Sequence, residues 1–199
     1  MNYPNTIRNL INCFKKLPGI GEKTAERLAL ATMKLDDEII ELFYDSLKDI
    51  KIKIKRCSIC NNFTEDNLCD ICKDEKRDRS TICIVEEPKN IILFEKIGKY
   101  NGLYHVLNGL ISPLEGINPE DINIDSLFKR IDEVNIKEII IAVKPSVEGE
   151  TTALYISKML EGTNVVVSKI AHGIPIGADI DYIDTITLEM ALEDRKKIS

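Results

Sequence analysis

Four of the six cysteines stand in one short stretch, CSICNNFTEDNLCDIC, as two C-x-x-C pairs. Cys57 and Cys60 form the first pair and Cys69 and Cys72 the second, with 8 residues between them. Each pair can turn two thiolates toward one ion, and two pairs close a tetrahedral S4 cage, a donor set of structural zinc. Disulfides are one alternative. However, the N-terminal MNYPNTIRNL lacks the apolar core of a signal peptide. No apolar run nears the roughly 18 residues of a membrane span. The expectation is a cytoplasmic chain whose thiols stay reduced. A redox C-x-x-C seldom needs a second copy so close, and paired knuckles fit zinc better than an iron–sulfur cluster. One structural Zn2+ per chain is expected, with every position filled by protein and none open to substrate. Cys13 and Cys83 fall in helix and strand patterns and are expected to be buried as small hydrophobes.

A second candidate site is LPGIGEKTAERLAL, Leu17 to Leu30. Before it, Ile7, Leu10, Ile11 and Phe14 recur with the period of a helix that buries one face. After it, Ala25, Leu28 and Ala29 repeat that period. Pro18 is expected to stop the first helix, and Gly19 and Gly21 to take backbone angles closed to other residues. One reading is a hairpin packed into a core. The other is a phosphate cradle, where phosphate approaches the Gly19–Gly21 amides and the free N–H groups of the next helix. Lys23 and Arg27, four apart, would add charge on one exposed face. A nucleotide P-loop fails on spacing, because Glu22 separates Gly21 from Lys23. The segment looks like a helix-hairpin-helix motif, which grips nucleic-acid backbones without reading sequence.

Carboxylates supply the third chemistry. CIVEEPKN ends a strand pattern on Glu86 and Glu87, where an open α/β sheet places metal ligands. The same pair also suits the start of a helix opened by Pro88. The later strand EIIIAV leads to Lys144, Pro145 and Ser146 rather than to paired aspartates. ADIDYID holds Asp179-x-Asp181, but a strand and a loop too late. His105 and His172 are single histidines for which structural roles are expected.

The elements that must position these groups follow from periodicity. A helix is expected from about Asp36 to Ile52, with Ile39, Ile40, Leu42, Phe43 and Leu47 on its buried face. KDEKRDRS, Lys73 to Ser80, is the clearest composition break. Beyond it TICIV, LYHVL, EIIIAV and NVVVSKI read as strands. PKNIILFEKI, IDSLFKRIDEV and GETTALYISKML read as helices, so the sheet is expected to be largely parallel. The 199 residues carry 27 Lys/Arg and 33 Asp/Glu, a net charge of −6. Residues 1–56 hold 11 basic and 8 acidic side chains, and residues 80–199 hold 12 and 19. A polyanion contact therefore belongs to the N-terminal quarter, and it should be weak per chain and salt-sensitive.

The hairpin, the four cysteines and the strand EIIIAV opening onto KPSVEGETTALY together resemble the RecR family of bacterial recombination mediators. The stretches YHVLNGLISPLEGINPEDI and GIPIGADIDYIDTITLEMAL extend the resemblance over the whole chain. It implies an α/β protein with a helix-hairpin-helix DNA-binding region (1–55), a zinc motif and linker (56–79), a Toprim domain (80–175) and a C-terminal oligomerisation segment (176–199). It also implies recombinational DNA repair, with the protein working beside RecO and RecF to load recombinase onto single-stranded DNA. Duplex and single-stranded DNA would be bound without sequence preference by a dimer or tetrameric ring, in a nucleoid-associated cytoplasmic protein with no membrane contact. By motif, Gly19, Gly21, Lys23 and Arg27 match DNA-facing positions, and Cys57, Cys60, Cys69 and Cys72 match the zinc ligands. Glu148 and Glu150 fall in the acidic VEGE motif, a candidate partner surface. The family more often has Asn-Pro-Thr where Lys144, Pro145 and Ser146 stand. Catalytic Toprim domains pair a strand-end glutamate with Asp-x-Asp to hold Mg2+, so a non-enzyme is expected. The alternative is a magnesium-dependent Toprim nuclease or topoisomerase-like enzyme. A third reading is an interaction scaffold with a purely structural hairpin. The apolar tail residues Ile174, Ile176, Ile180, Ile183 and Leu188 either form a second interface or fold back on the sheet.

Overall fold

A computed structural model describes residues 3–133, 135–171 and 173–195; His172 lies outside the described residues. The chain divides into two units, Met1–Ile54 and Lys55–Ser199.

In the first unit α1 (Asn5–Phe14) and α2 (Glu22–Thr32) form the expected hairpin. Ile11, Ala25 and Ala29 are its buried centre, with Ile7, Leu10, Phe14 and Ile20 packed around them. The two alanines let the helices approach closely, so little apolar area is enclosed. Cys13 is exposed rather than buried. It falls between the stripe positions of α1 and so turns away from α2. The third helix, α3 (Asp37–Ile52), has its expected span but buries no residue. Ile39, Leu42, Phe43 and Leu47 are exposed and Ile40 is half-buried, which corrects the buried face read from their spacing. The periodicity is present, but the alanine-lined hairpin core leaves that face uncovered.

The second unit opens with a two-stranded antiparallel ribbon, β1 (Lys55–Arg56) with β2 (Phe63–Thr64), and a short α4 (Asp70–Lys73). The main sheet follows: β3 (Asp78–Val85), α5 (Pro88–Ile97), β4 (Gly102–Val106), α6 (Asp125–Glu133), β5 (Glu138–Ala142), α7 (Val147–Met159) and β6 (Val166–Lys169). Its order is β4-β3-β5-β6 and every pairing is parallel. α8 (Thr185–Glu193) lies in the tail. Alternate side chains of each central strand enter different cores. Ile82, Ile84, Leu103, Ile139 and Ile141 pack with Leu127 of α6 and Ile156 of α7. Cys83, Val85, Tyr104 and Val106 pack with Ile91 of α5. Burial on both faces explains the unbroken apolar run TICIV. Pro88 occupies the first turn of α5, where its missing N–H costs nothing, and Gly98 closes the helix at φ +66°.

The edge strand β4 is buried throughout. Arg130 Nη1 donates to the Tyr104 carbonyl at 2.7 Å, and Asn123 Nδ2 donates to that of Val106 at 2.9 Å. His105, in the same strand, has Nε2 2.8 Å from the Asn123 carbonyl, which accepts from it in the tautomer that carries the proton on Nε2. Its Nδ1 is buried without a partner. The expected structural role is therefore met on one side of the ring only. Burial lowers the His105 pKa from 6.5 to about 4.

Candidate functional site

The sulfurs of Cys57, Cys60, Cys69 and Cys72 lie within 4.8 Å of one another, and all four residues are buried. Four sulfurs each about 2.3 Å from a central ion would stand about 3.8 Å apart in a tetrahedron, so the set fits Zn2+. Cys60 Sγ and Cys69 Sγ are 3.5 Å apart, too far for a disulfide bond. Local backbone turns deliver the ligands. Cys57 N–H donates to Asn62 O at 2.8 Å and Asn61 N–H to Cys57 O at 2.9 Å, with Asn61 at φ +63°. Cys69 caps α4, and its N–H donates to Cys57 Sγ at 3.3 Å. Hydrogen bonds from the neighbouring Cys60 and Cys72 thiols hold Cys69 far below the usual thiol range, while the same Cys60–Cys69 contact holds Cys60 far above it. Cys83, by contrast, is pushed up to about 12 by burial and stays an inert core thiol, as expected.

The knuckle is joined to the sheet. Val106 N–H donates to the Cys60 carbonyl at 2.9 Å. The Arg56 guanidinium sits 4.6 Å above the Phe63 ring. It donates to Asn61 O at 3.1 Å and to Asn108 Oδ1 at 2.9 Å. The only sequence signal for this clasp is the basic run KIKIKR just before Cys57. A cavity of about 290 Å³ lies beside it, lined by Arg56, Phe63, Glu86, Glu87, Lys89 and Asn108 among others.

At the hairpin, Gly19 has φ +79° and needs its freedom. Gly21 does not. It is extended, at φ −83° and ψ 174°, as the N-cap of α2, with no side chain capping the helix. That corrects the expectation of special angles at both glycines. A Cβ at either position would meet nothing within 4 Å. Neither glycine is hemmed in, and the exposed Lys23 and Arg27 stand on the helix that follows. Glu22 forms an ion pair with Lys15.

Glu86, Glu87, Glu148 and Glu150 collect at the carboxyl edge of the sheet. Glu86 Oε1 is 3.7 Å from Lys144 Nζ. Glu87 leads into α5, its N–H donating to Asn90 Oδ1 at 2.9 Å and its carboxylate 2.5 Å from Lys89 Nζ. Ser146 caps α7 by accepting from Gly149 N–H at 3.2 Å, and its hydroxyl donates to Glu148 at 2.6 Å. That hydroxyl holds the Glu148 carboxyl below the usual range. Lys169 donates to both oxygens of Glu150 at 2.9 Å. A Cβ on Gly149 would collide with the Lys144 carbonyl, so the glycine of VEGE is required by the close approach of α7 to the end of β5. Asp179 accepts from Asp181 N–H at 3.3 Å, a local turn in the tail. Among the described residues the four cysteines are the only group gathered for a metal ion.

A parallel sheet with acidic strand ends, fed by an S4 zinc knuckle, defines the class: a zinc-finger protein built on a Toprim-type sheet. The Toprim domain family matches residues 80–171. The RecR helix-hairpin-helix family matches residues 7–51, the RecR four-cysteine zinc finger domain 54–74 and the RecR C-terminal family 173–196. Recombination protein RecR of Enterococcus faecalis is 49% identical over 198 residues, covering 100% of both chains. The chain belongs to the RecR family of recombination proteins, and its four-cysteine domain is a zinc site. Among the described residues no helix is long and apolar enough to cross a membrane.

Proposed function

We propose that this chain is a DNA-binding recombination mediator of recombinational repair, closing as a ring or clamp and acting with RecO and RecF to help load recombinase onto single-stranded DNA. The observation that carries the reading is the uncapped N-terminus of α2 with open space at Gly19 and Gly21 and exposed Lys23 and Arg27 beside it. Free amides and two cations suit phosphate and carry no base readout, so duplex and single strands would both be held without sequence preference. One hairpin per chain binds weakly. Several hairpins in one assembly raise the local concentration, and avidity can exceed single-site affinity by roughly 10²–10⁴. The uncovered face of α3 and the exposed tail residues Ile174, Ile176 and Ile180 support self-association. A nucleoid-associated place in the cytoplasm accords with that role.

The protein acts without phosphodiester chemistry in this reading. β5 is followed by Lys144 rather than by paired aspartates, and the S4 cage offers no open position. Glu148 and Glu150 would present negative charge to a basic partner, in which case reversing both charges weakens that complex in a pull-down at low salt. The main test is DNA binding by the Lys23→Ala/Arg27→Ala protein. Affinity should fall for every sequence, and the slope of log K against log salt should flatten by roughly 0.7–0.9 per lost phosphate contact. An unchanged slope in a folded variant would return the hairpin to a structural role.

A further inference from the structure

The strand order β4-β3-β5-β6 reverses direction between β3 and β5. At such a switch point successive connections leave to opposite sides, and a crevice opens beyond the carboxyl ends of the strands where open α/β sheets take their ligands. Val85 and Ala142, the last residues of β3 and β5, are register partners. Glu86 follows the first directly and Lys144 comes two residues after the second, so the 3.7 Å ion pair between them sits at the switch point. A divalent ion bridging the two strand ends would take carboxylate oxygens from both of them. The residues do not fit one. β5 contributes an ammonium, Glu87 is engaged by Lys89 at 2.5 Å, and Glu150 is engaged by Lys169 at 2.9 Å. The Lys144 charge also reaches Glu148, adding to the effect of Ser146 on that carboxyl.

We propose that Lys144 is a tethered cation, whose ammonium serves as the counter-charge of Glu86 at the switch point and closes this edge of the sheet to Mg2+ and Mn2+. The inference rests on the non-catalytic reading and deepens it by naming the residue that excludes the ion. The Lys144 side chain is half-exposed, so it can be replaced without leaving a cavity.

The experiment titrates full-length, zinc-loaded protein with Mn2+, reading free Mn2+ by electron paramagnetic resonance. The wild type should show no binding that depends on Glu86. Lys144→Glu exchanges a repelling charge for an attracting one and should bind Mn2+ at least about tenfold more tightly than the wild type. Adding Glu86→Gln to that variant should remove the gain. Lys144→Gln, which only deletes the charge, should fall between and guards against a folding defect in the reversal. Circular dichroism checks that each protein is folded. Folded Lys144→Glu and Lys144→Gln proteins that bind no better than the wild type overturn the proposal. So does wild-type Mn2+ binding that Glu86→Gln abolishes. Failure of the non-catalytic reading looks different: the wild type itself would cleave DNA strands when Mg2+ is added.

Discussion

The sheet hides Ile82, Ile84 and Ile139 completely, whereas α3 of the helical unit leaves Leu42, Phe43 and Leu47 at 65%, 58% and 70% exposure. Both segments are amphipathic or apolar by sequence, and both form the expected element. They differ in what the chain supplies to cover them. Strands β3 and β5 have neighbours on either side and helices on both faces, while α1 and α2 meet through alanines and enclose only a thin core. A unit with a closed core owes its stability to its own burial. A unit with an apolar face left open is suited to association.

The most severe trial of this contrast is to remove the metal, because the sheet unit contains one segment that has no core of its own. The knuckle's buried cluster is the four cysteines themselves with Leu68 and Ile71 against them. Zinc binding contributes roughly 10–16 kcal/mol in zinc-finger peptides. Chelation, or Cys60→Ser, should therefore unfold residues 54–74 while β3 and β5 keep their hydrogen-exchange protection. Loss of protection in both strands would show that the sheet depends on the finger. Freshly purified protein without zinc, or with iron instead, would overturn the metal assignment.

A matched pair of leucines resolves the contrast more finely. Leu127 of α6 is fully buried, so Leu127→Ala should cost about 2–5 kcal/mol in urea unfolding. Leu47→Ala should stay within about 0.5 kcal/mol for the monomer, as exposed substitutions do. Leu47→Asp should instead lower the mass seen by light scattering. A Leu47→Ala protein destabilised as much as Leu127→Ala would mean that α3 is covered after all.

A third effect is confined to the sheet and depends on pH. His105 has a folded pKa of about 4, below its unfolded value of 6.5, because burial disfavours the imidazolium. Above pH 6.5 both states are neutral at this residue and the full stability is present. As pH falls toward 4 the unfolded chain takes up the proton first, and stability drops by up to about 3 kcal/mol. His105→Gln should be weaker at pH 7 yet lose less between pH 7 and pH 5. Equal losses in the two proteins would place the acid sensitivity elsewhere.

Much of this was legible from local pattern. The C-x-x-C spacing identified four ligands because a tight turn alone sets where two thiols can meet. The run EIIIAV identified a two-faced strand because only a covered sheet tolerates it, and the residues around Gly19 identified a hairpin. Other features were not legible. Cys13 reads as apolar, yet it sits off the buried stripe of α1. Gly21 reads as a strained glycine, yet it is an ordinary extended cap. Gly149 carries no local signal within VEGE, because its need arises only where α7 presses against the Lys144 carbonyl.

Local pattern was enough to find the four cysteine ligands, the hairpin helices, α3 and the succession of elements from β3 to β6 along the chain, though not the β1–β2 ribbon, α4 or α8. These depend on a few neighbouring residues, where bond geometry and period leave few options. Folding in three dimensions was needed for Arg56 to clasp the knuckle to Asn108, for Glu86 to meet Lys144, and for α3 to go uncovered. Arg56 and Asn108 are 52 residues apart in the chain. Such contacts are set by strand order and register, which no local spacing encodes, because each is chosen by the summed burial of the whole sheet.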